Sequence, residues 1–126
     1  MTLDKLRELC LSLPGVYEKM PFTSFPTGSD ILCFYIGSKI FCLTDIYNFE
    51  YFNLKGKPED NIELCERYAS ITPGWHMNKR HWISVHVPGD VSDDVIERLV
   101  RQSYDIVLSS LPKKIREELK QLSNKQ

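Results

Sequence analysis

The stretch Ile31-Leu32-Cys33-Phe34-Tyr35-Ile36-Gly37-Ser38-Lys39-Ile40-Phe41-Cys42-Leu43-Thr44-Asp45-Ile46 decides the fold. Two runs rich in β-branched and aromatic residues flank Gly37-Ser38. Such residues fit a pleated, half-buried surface. A two-residue loop that opens with glycine favours the primed turns whose twist matches paired strands. The expectation is a hairpin of Ile31–Ile36 and Lys39–Ile46. A tight turn also sets the register: Tyr35 faces Ile40, Phe34 faces Phe41, and Cys33 faces Cys42. Phe34, Phe41 and Leu43 then share one face, and Tyr35, Ile40, Cys42 and Ile46 the other. A one-sided antiparallel sheet alternates more cleanly. The second face is therefore expected to be covered, by a terminal helix or by another subunit.

Outward toward the C-terminus, a third strand is expected over 49–54, after a turn at Tyr47-Asn48. Lys57-Pro58-Glu59-Asp60 opens a helix, with Pro58 in its first turn and the acids at the positive dipole end. Its buried side reads as Ile62, Cys65 and Ala69, with Leu64 and Tyr68. Thr72-Pro73-Gly74 breaks it. Residues 75–87 read as extended, with Ile83, Val85 and Val87 alternating against Trp82, Ser84 and His86. After Pro88-Gly89, Ser92 caps another helix with Asp93 and Asp94 in its first turn. Ile96, Leu99, Val100, Ser103 and Val107 make its apolar stripe. Pro112 separates a short last helix, with Ile115, Leu119 and Leu122 inward. Toward the N-terminus, Leu3, Leu6, Leu9, Cys10 and Leu13 follow helical spacing behind a Thr2 cap. Pro14-Gly15 stops that helix. Residues 16–29 look irregular, with Phe22 and Phe25 pinning them to the core.

The 126 residues suit one domain spanning 1–126. Apolar residues are 42% and charged residues 26%, which excludes a disordered, collagen-like or coiled-coil chain. No apolar run approaches the ~20 residues of a membrane span. Met1–Arg7 carries Asp4 and no apolar segment of a secretory signal, so a cytoplasmic protein with no membrane association is expected. Sixteen basic residues oppose seventeen acidic ones, for a net charge of −1. That argues against general affinity for polyanions but leaves room for a local basic patch. The four cysteines form no CxxC pair, so they read as reduced packing residues, and no cofactor or metal is implied.

One segment is unusual: Pro73-Gly74-Trp75-His76-Met77-Asn78-Lys79-Arg80-His81-Trp82. It holds both tryptophans, two of the three histidines and an adjacent Lys-Arg pair. The chain resembles the MmcQ/YjbR-like family in this run through Trp82. It also does so in Leu13-Pro14-Gly15-Val16 with Glu18, Pro21-Phe22, Lys39-Ile40-Phe41, Asn53-Leu54-Lys55 and Ser103-Tyr104. The resemblance spans about Leu3 to Leu111. It implies a two-layer α/β sandwich of the α+β class, similar to CyaY-like and secretion-chaperone-like domains. The sheet is expected to be mainly antiparallel and five-stranded, in the order αβββαββα plus a short C-terminal helix. Members of the family are described as DNA-binding, with a double-wing arrangement of hairpins.

Phosphates need cationic donors, and unstacked bases stack on aromatic rings. Trp75, His76, Asn78, Lys79, Arg80, His81 and Trp82 supply that mixture on a turn, and Lys55 and Lys57 extend it. DNA binding is the first reading. The alternative is a protein-interaction or small-ligand module, chaperone-like and dimeric through the two-sided hairpin; exposed Trp and Arg also anchor protein interfaces. An enzyme is the third class. His76, His81 and His86 are five apart, a step that on a strand turns His81 away from the other two and on a helix also separates neighbours, so the one metal site they admit is His76 with His86 and an acid. No HExxH, GxSxG, P-loop or GxGxxG motif is present. Each histidine is expected to donate to a backbone carbonyl. The run also admits a purely architectural reading, in which Asn78 bonds its own backbone and His76 and His81 tie the flanking strands.

Overall fold

The computed structural model describes residues 1–24, 28–75 and 77–124. Four helices and six strands run along them in the order α1 (Leu3–Leu11), β1 (Tyr17–Lys19), β2 (Ile31–Ile36), β3 (Lys39–Asp45), β4 (Tyr51–Lys55), α2 (Pro58–Arg67), β5 (Ile71–Pro73), β6 (Trp82–His86), α3 (Asp93–Ser109) and α4 (Lys113–Asn124). All the strands pair antiparallel, in the spatial order β1-β2-β3-β4-β6-β5. The sheet thus has six strands, where five were expected. The addition is Tyr17–Lys19, inside the segment that reads as irregular. Three residues are too few for a visible alternation.

Pairing puts residues in rows across the sheet, and each row shares a face. One row runs Glu18, Phe34, Cys42, Leu54, Ile83, Pro73, and the next runs Leu32, Thr44, Phe52, Val85, Ile71. Most of these side chains join Leu6 and Cys10 of α1 and Ile96, Val100 and Val107 of α3 in one buried cluster. This is the covered face. Thr2 caps α1 by accepting from the Lys5 amide, and Ser92 caps α3 by accepting from the Val95 amide, as their positions predict. The row between them runs Lys19, Cys33, Leu43, Asn53, Ser84, Thr72 and belongs to the outward face. Cys33 and Leu43 are nonetheless buried within the single chain.

The hairpin register holds only near its turn. Tyr35 pairs with Ile40, but Phe34 pairs with Cys42 and Cys33 with Leu43. Phe41 is the extra residue of a β-bulge, so Phe34 does not face Phe41 and Cys33 does not face Cys42. The bulge moves Cys42 to the covered face, beside Phe34 and Leu54. It also breaks the ladder next to Lys55. Ser103 of α3 fills the gap: its hydroxyl donates to the Phe41 carbonyl (2.5 Å) and accepts from the Lys55 amide (2.8 Å). Its neighbour Tyr104 donates to the Pro14 carbonyl at 2.7 Å and meets Phe41 edge-on. Ser103-Tyr104 therefore ties α3 to both the bulge and the end of α1.

Four expected core residues lie elsewhere, among them Ala69, which is exposed past the end of α2. Ile62 is 64% exposed, and the fully buried residue of α2 is its neighbour Asn61. Leu122 is half-exposed, although Ile115 and Leu119 do pack on the core. Phe22 lies partly exposed beside Gly28 rather than in the core, and Phe25 falls outside the described residues. Among the described residues, no helix is long and apolar enough to cross a membrane.

Candidate nucleic-acid interface

The turn from Gly74 to His81 joins two antiparallel neighbours, β5 and β6, at one end of the sheet. Its path begins with close backbone contact. The Gly74 amide donates to the Trp82 carbonyl at 2.8 Å, and a Cβ on Gly74 would sit 2.7 Å from the Cβ of Trp82. Only glycine fits there without displacement.

Trp75 is then fixed by its backbone. Its amide donates to Ser84 Oγ at 2.7 Å, and its carbonyl accepts from Asn53 Nδ2 at 3.0 Å. Ser84 Oγ in turn donates to Asn53 Oδ1 at 2.5 Å. Asn53 and Ser84 face each other across β4 and β6 in the outward row. Both are buried, and this closed ring satisfies their polar groups. It holds the Trp75 backbone against the outward face of the sheet, and Trp75 exposes 53% of its surface.

Asn78 shapes the tip. Its side-chain oxygen accepts from the Arg80 amide at 3.0 Å, and its carbonyl accepts from the amides of His81 and Trp82. That is the self-bonded asparagine turn expected from its position. Asn61 of α2 clamps the other side. Its Nδ2 donates to the carbonyls of Gly56 and Arg80, each at 3.1 Å. The Gly56 amide donates to the His81 carbonyl at 2.9 Å, which extends the β4–β6 ladder to the turn. Lys79 Nζ lies 3.4 Å from the Gly74 carbonyl.

The structure brings most of the predicted site together. Asn78, Lys79, Arg80 and His81 are exposed on the turn, and Trp82 sits half-buried at its end. Lys55 pairs with Trp82 across the sheet, and exposed Lys57 precedes α2. His76 lies outside the described residues. The described ion pairs involve neither Lys79 nor Arg80, so no carboxylate among those residues neutralises them. His86 belongs to the far end of β6, opposite Tyr51. Its Nε2 lies 2.9 Å from the Thr72 hydroxyl, a side-chain partner in place of the expected backbone carbonyl. No group of three metal-ligating side chains occurs among the described residues.

Beside the turn, a groove of about 800 Å³ opens between α2 and the β5–β6 edge. Ile62, Cys65, Pro73 and Ile83 line it together with Lys79 and Arg80. Sequence reasoning missed this groove because it placed Ile62 inside. It also missed the roles of Asn53, Ser84 and Asn61. Asn53 stands in one of the short pieces that carry the resemblance, which was the available signal. Ser84 and Asn61 left none, since a buried polar residue is invisible to hydrophobic periodicity.

An antiparallel sheet with helices on one face, and a clamped basic-aromatic turn at one end, defines a small α+β domain of one recognisable type. The YjbR family model matches residues 11–106, and the chain belongs to the YjbR family. The match runs from the end of α1 into α3 and leaves α4 outside. The chain is similar to YbdF of Escherichia coli O157:H7, 35% identical over 112 residues and 88% of each chain. It is similar to YjbR of Escherichia coli strain K12, 28% identical over 97% of this chain and all of that one. The crystal structure of Deinococcus radiodurans protein DR2400, with domain DUF419, superposes with a TM-score of 0.82. It is 35% identical and covers 94% of this chain and 87% of its own. A Pseudomonas syringae crystal structure shares the fold at 24% identity and TM-score 0.69, over 84% of this chain and 98% of its own.

Proposed function

We propose that this chain binds DNA through the Gly74–Trp82 turn. The observation that carries the reading is the pairing of two exposed cations, Lys79 and Arg80, which join none of the described ion pairs, with half-exposed Trp75. Arg and Lys donate to phosphates, and an exposed indole offers a stacking surface to an unpaired base. The turn is held by Asn53, Ser84, Asn78 and Asn61, so these groups are preorganised rather than ordered at the moment of binding. Stacking on Trp75 favours single strands over duplex. The acids of α2 (Glu59, Asp60, Glu63 and Glu66) confine the attraction to the turn.

The test is fluorescence anisotropy with a labelled single-stranded oligonucleotide over a series of salt concentrations. Two to four phosphate contacts, from Lys79 and Arg80 with Lys55 and Lys57, give a slope of log K against log salt of about −1.4 to −2.8. Lys79→Ala with Arg80→Ala should lower that slope by about 1.4 without changing the thermal transition. No binding at micromolar protein, or binding indifferent to salt, refutes the proposal.

A second reading, a protein-interaction module, draws support from Tyr47. This side chain is 87% exposed beside partly exposed Ile46, at the turn between β3 and β4. Light scattering that finds a dimer, lost on Tyr47→Ser, would favour it.

A further inference from the structure

The groove beside the turn carries a chemistry that the cations alone do not use. Ile62 and Cys65 contribute one apolar wall from α2, and Pro73 and Ile83, which are register partners, contribute another from β5 and β6. Exposure of 64% for a helix-interior isoleucine leaves apolar surface in water inside a concave space. The volume of about 800 Å³ falls in the range of small-molecule sites. Four charged side chains also line it: Lys79, Arg80, Glu59 and Glu66. The described ion pairs join none of them to another, and Lys79 Nζ meets the Gly74 carbonyl at 3.4 Å. Asn61 bonds the Arg80 carbonyl to α2, which couples the cationic wall to the apolar one.

Two apolar walls suit a flat ring. A Lys-Arg pair suits a phosphate, which arginine can hold with two parallel hydrogen bonds. Carboxylates accept from ring amines and from sugar hydroxyls. We infer that the groove binds one nucleoside monophosphate unit. Its base lies between Ile62 and Pro73, with buried Ile83 as the floor, its phosphate on Lys79 and Arg80, and its amino or hydroxyl groups on Glu59 or Glu66. This inference rests on the nucleic-acid reading of the turn. The unit is either a free mononucleotide or the phosphorylated end of a strand.

The experiment titrates AMP into the full chain by calorimetry. It then competes AMP, a 5′-phosphorylated oligodeoxyadenylate and its unphosphorylated form against a labelled oligonucleotide. AMP should bind saturably, and Ile62→Asp should weaken it about tenfold or more while circular dichroism stays native. Position 62 is exposed, so the substitution spares the core. Preference for the phosphorylated oligonucleotide over AMP identifies a strand end as the ligand, and the reverse identifies the free nucleotide; either order supports the inference. Should AMP fail to saturate by ~10 mM, or Ile62→Asp leave its affinity unchanged, the groove inference falls. If the labelled oligonucleotide still binds and Lys79→Ala with Arg80→Ala still weakens it, the turn reading survives that failure. If neither ligand binds, both fall.

Discussion

Ser84→Ala tests whether the turn is preorganised. The Ser84 hydroxyl is fully buried, accepts from the Trp75 amide and donates to Asn53 Oδ1. Removing it deletes two hydrogen bonds, each worth about 1 kcal/mol net, and strands a part-buried amide and a buried carbonyl oxygen. Each orphan adds about 1–3 kcal/mol unless the turn opens to water, which caps the loss. The expected cost is about 2–4 kcal/mol. With ~2.1 cal/mol/K per residue over 126 residues, each kcal/mol lowers Tm by about 4 °C, so Tm should fall by about 8–15 °C. Thermal unfolding by circular dichroism measures this. In a Trp82→Phe background the remaining indole is Trp75, and its emission should shift to the red as its backbone anchor is lost. Asn53→Ala with Ser84→Ala should cost scarcely more than either change alone, because both break the same ring. A Tm within about 2 °C of the parent and unchanged emission would refute the anchoring argument.

Ser103→Ala should cost about 2–3 kcal/mol, read from urea unfolding, because the Phe41 carbonyl and Lys55 amide lose their shared partner. Gly74→Ala should destabilise by about 1–3 kcal/mol, since its Cβ would press on the Cβ and the carbonyl oxygen of Trp82. The Ser70 hydroxyl, followed by the amides of Ser70 and Ala69, holds the Asp90 carboxyl below its ordinary value of 3.8. A depressed folded-state pKa gives stability that is present above the unfolded value and lost as pH falls through the folded one. Urea midpoints should therefore drop below about pH 4, and Asp90→Asn should flatten that part of the profile. Burial pushes the Cys33 thiol up to about 11 and, more than any other cause, raises that of Cys42 well above its ordinary value. Burial raises the Cys65 thiol too, but its side chain is partly exposed, so in the native protein a thiol reagent at pH 8 should modify Cys65 first, with buried Cys10, Cys33 and Cys42 reacting only on unfolding.

The elements that sequence reveals are those whose energy comes from a repeating apolar face. α3 buries the stripe its spacing predicts, and α1 buries Leu6 and Cys10 of its own and leaves Leu3 and Leu9 partly exposed, behind the predicted Ser92 and Thr2 caps. The Gly37-Ser38 turn also stands where expected, with Gly37 at φ 61°. Beyond the turn the register slips, because Phe41 and Cys42 are both apolar and either could face the core. A bulge is decided by tertiary contact, here by Ser103 from a helix 62 residues away. α2 misleads for a related reason. Its geometry selects the residue that can satisfy the Gly56 and Arg80 carbonyls, so Asn61 goes inside and Ile62 outside. In the site, residue types with distinctive chemistry were legible: Trp75, Asn78, Lys79 and Arg80. Their supports were not, since Asn53 and Ser84 act through a pairing between strands that no local pattern encodes.

The outermost strands of the sheet have a consequence of their own. β1 and β5 are three residues each, and β5 ends on Pro73, which has no amide hydrogen to donate. A neighbouring molecule therefore finds almost no ladder to continue at either margin. Such truncated margins are how β proteins avoid stacking into fibrils. The same economy limits the ways this chain can be recognised. Partners must engage its side chains and its turns, because the backbone gives them little to grip.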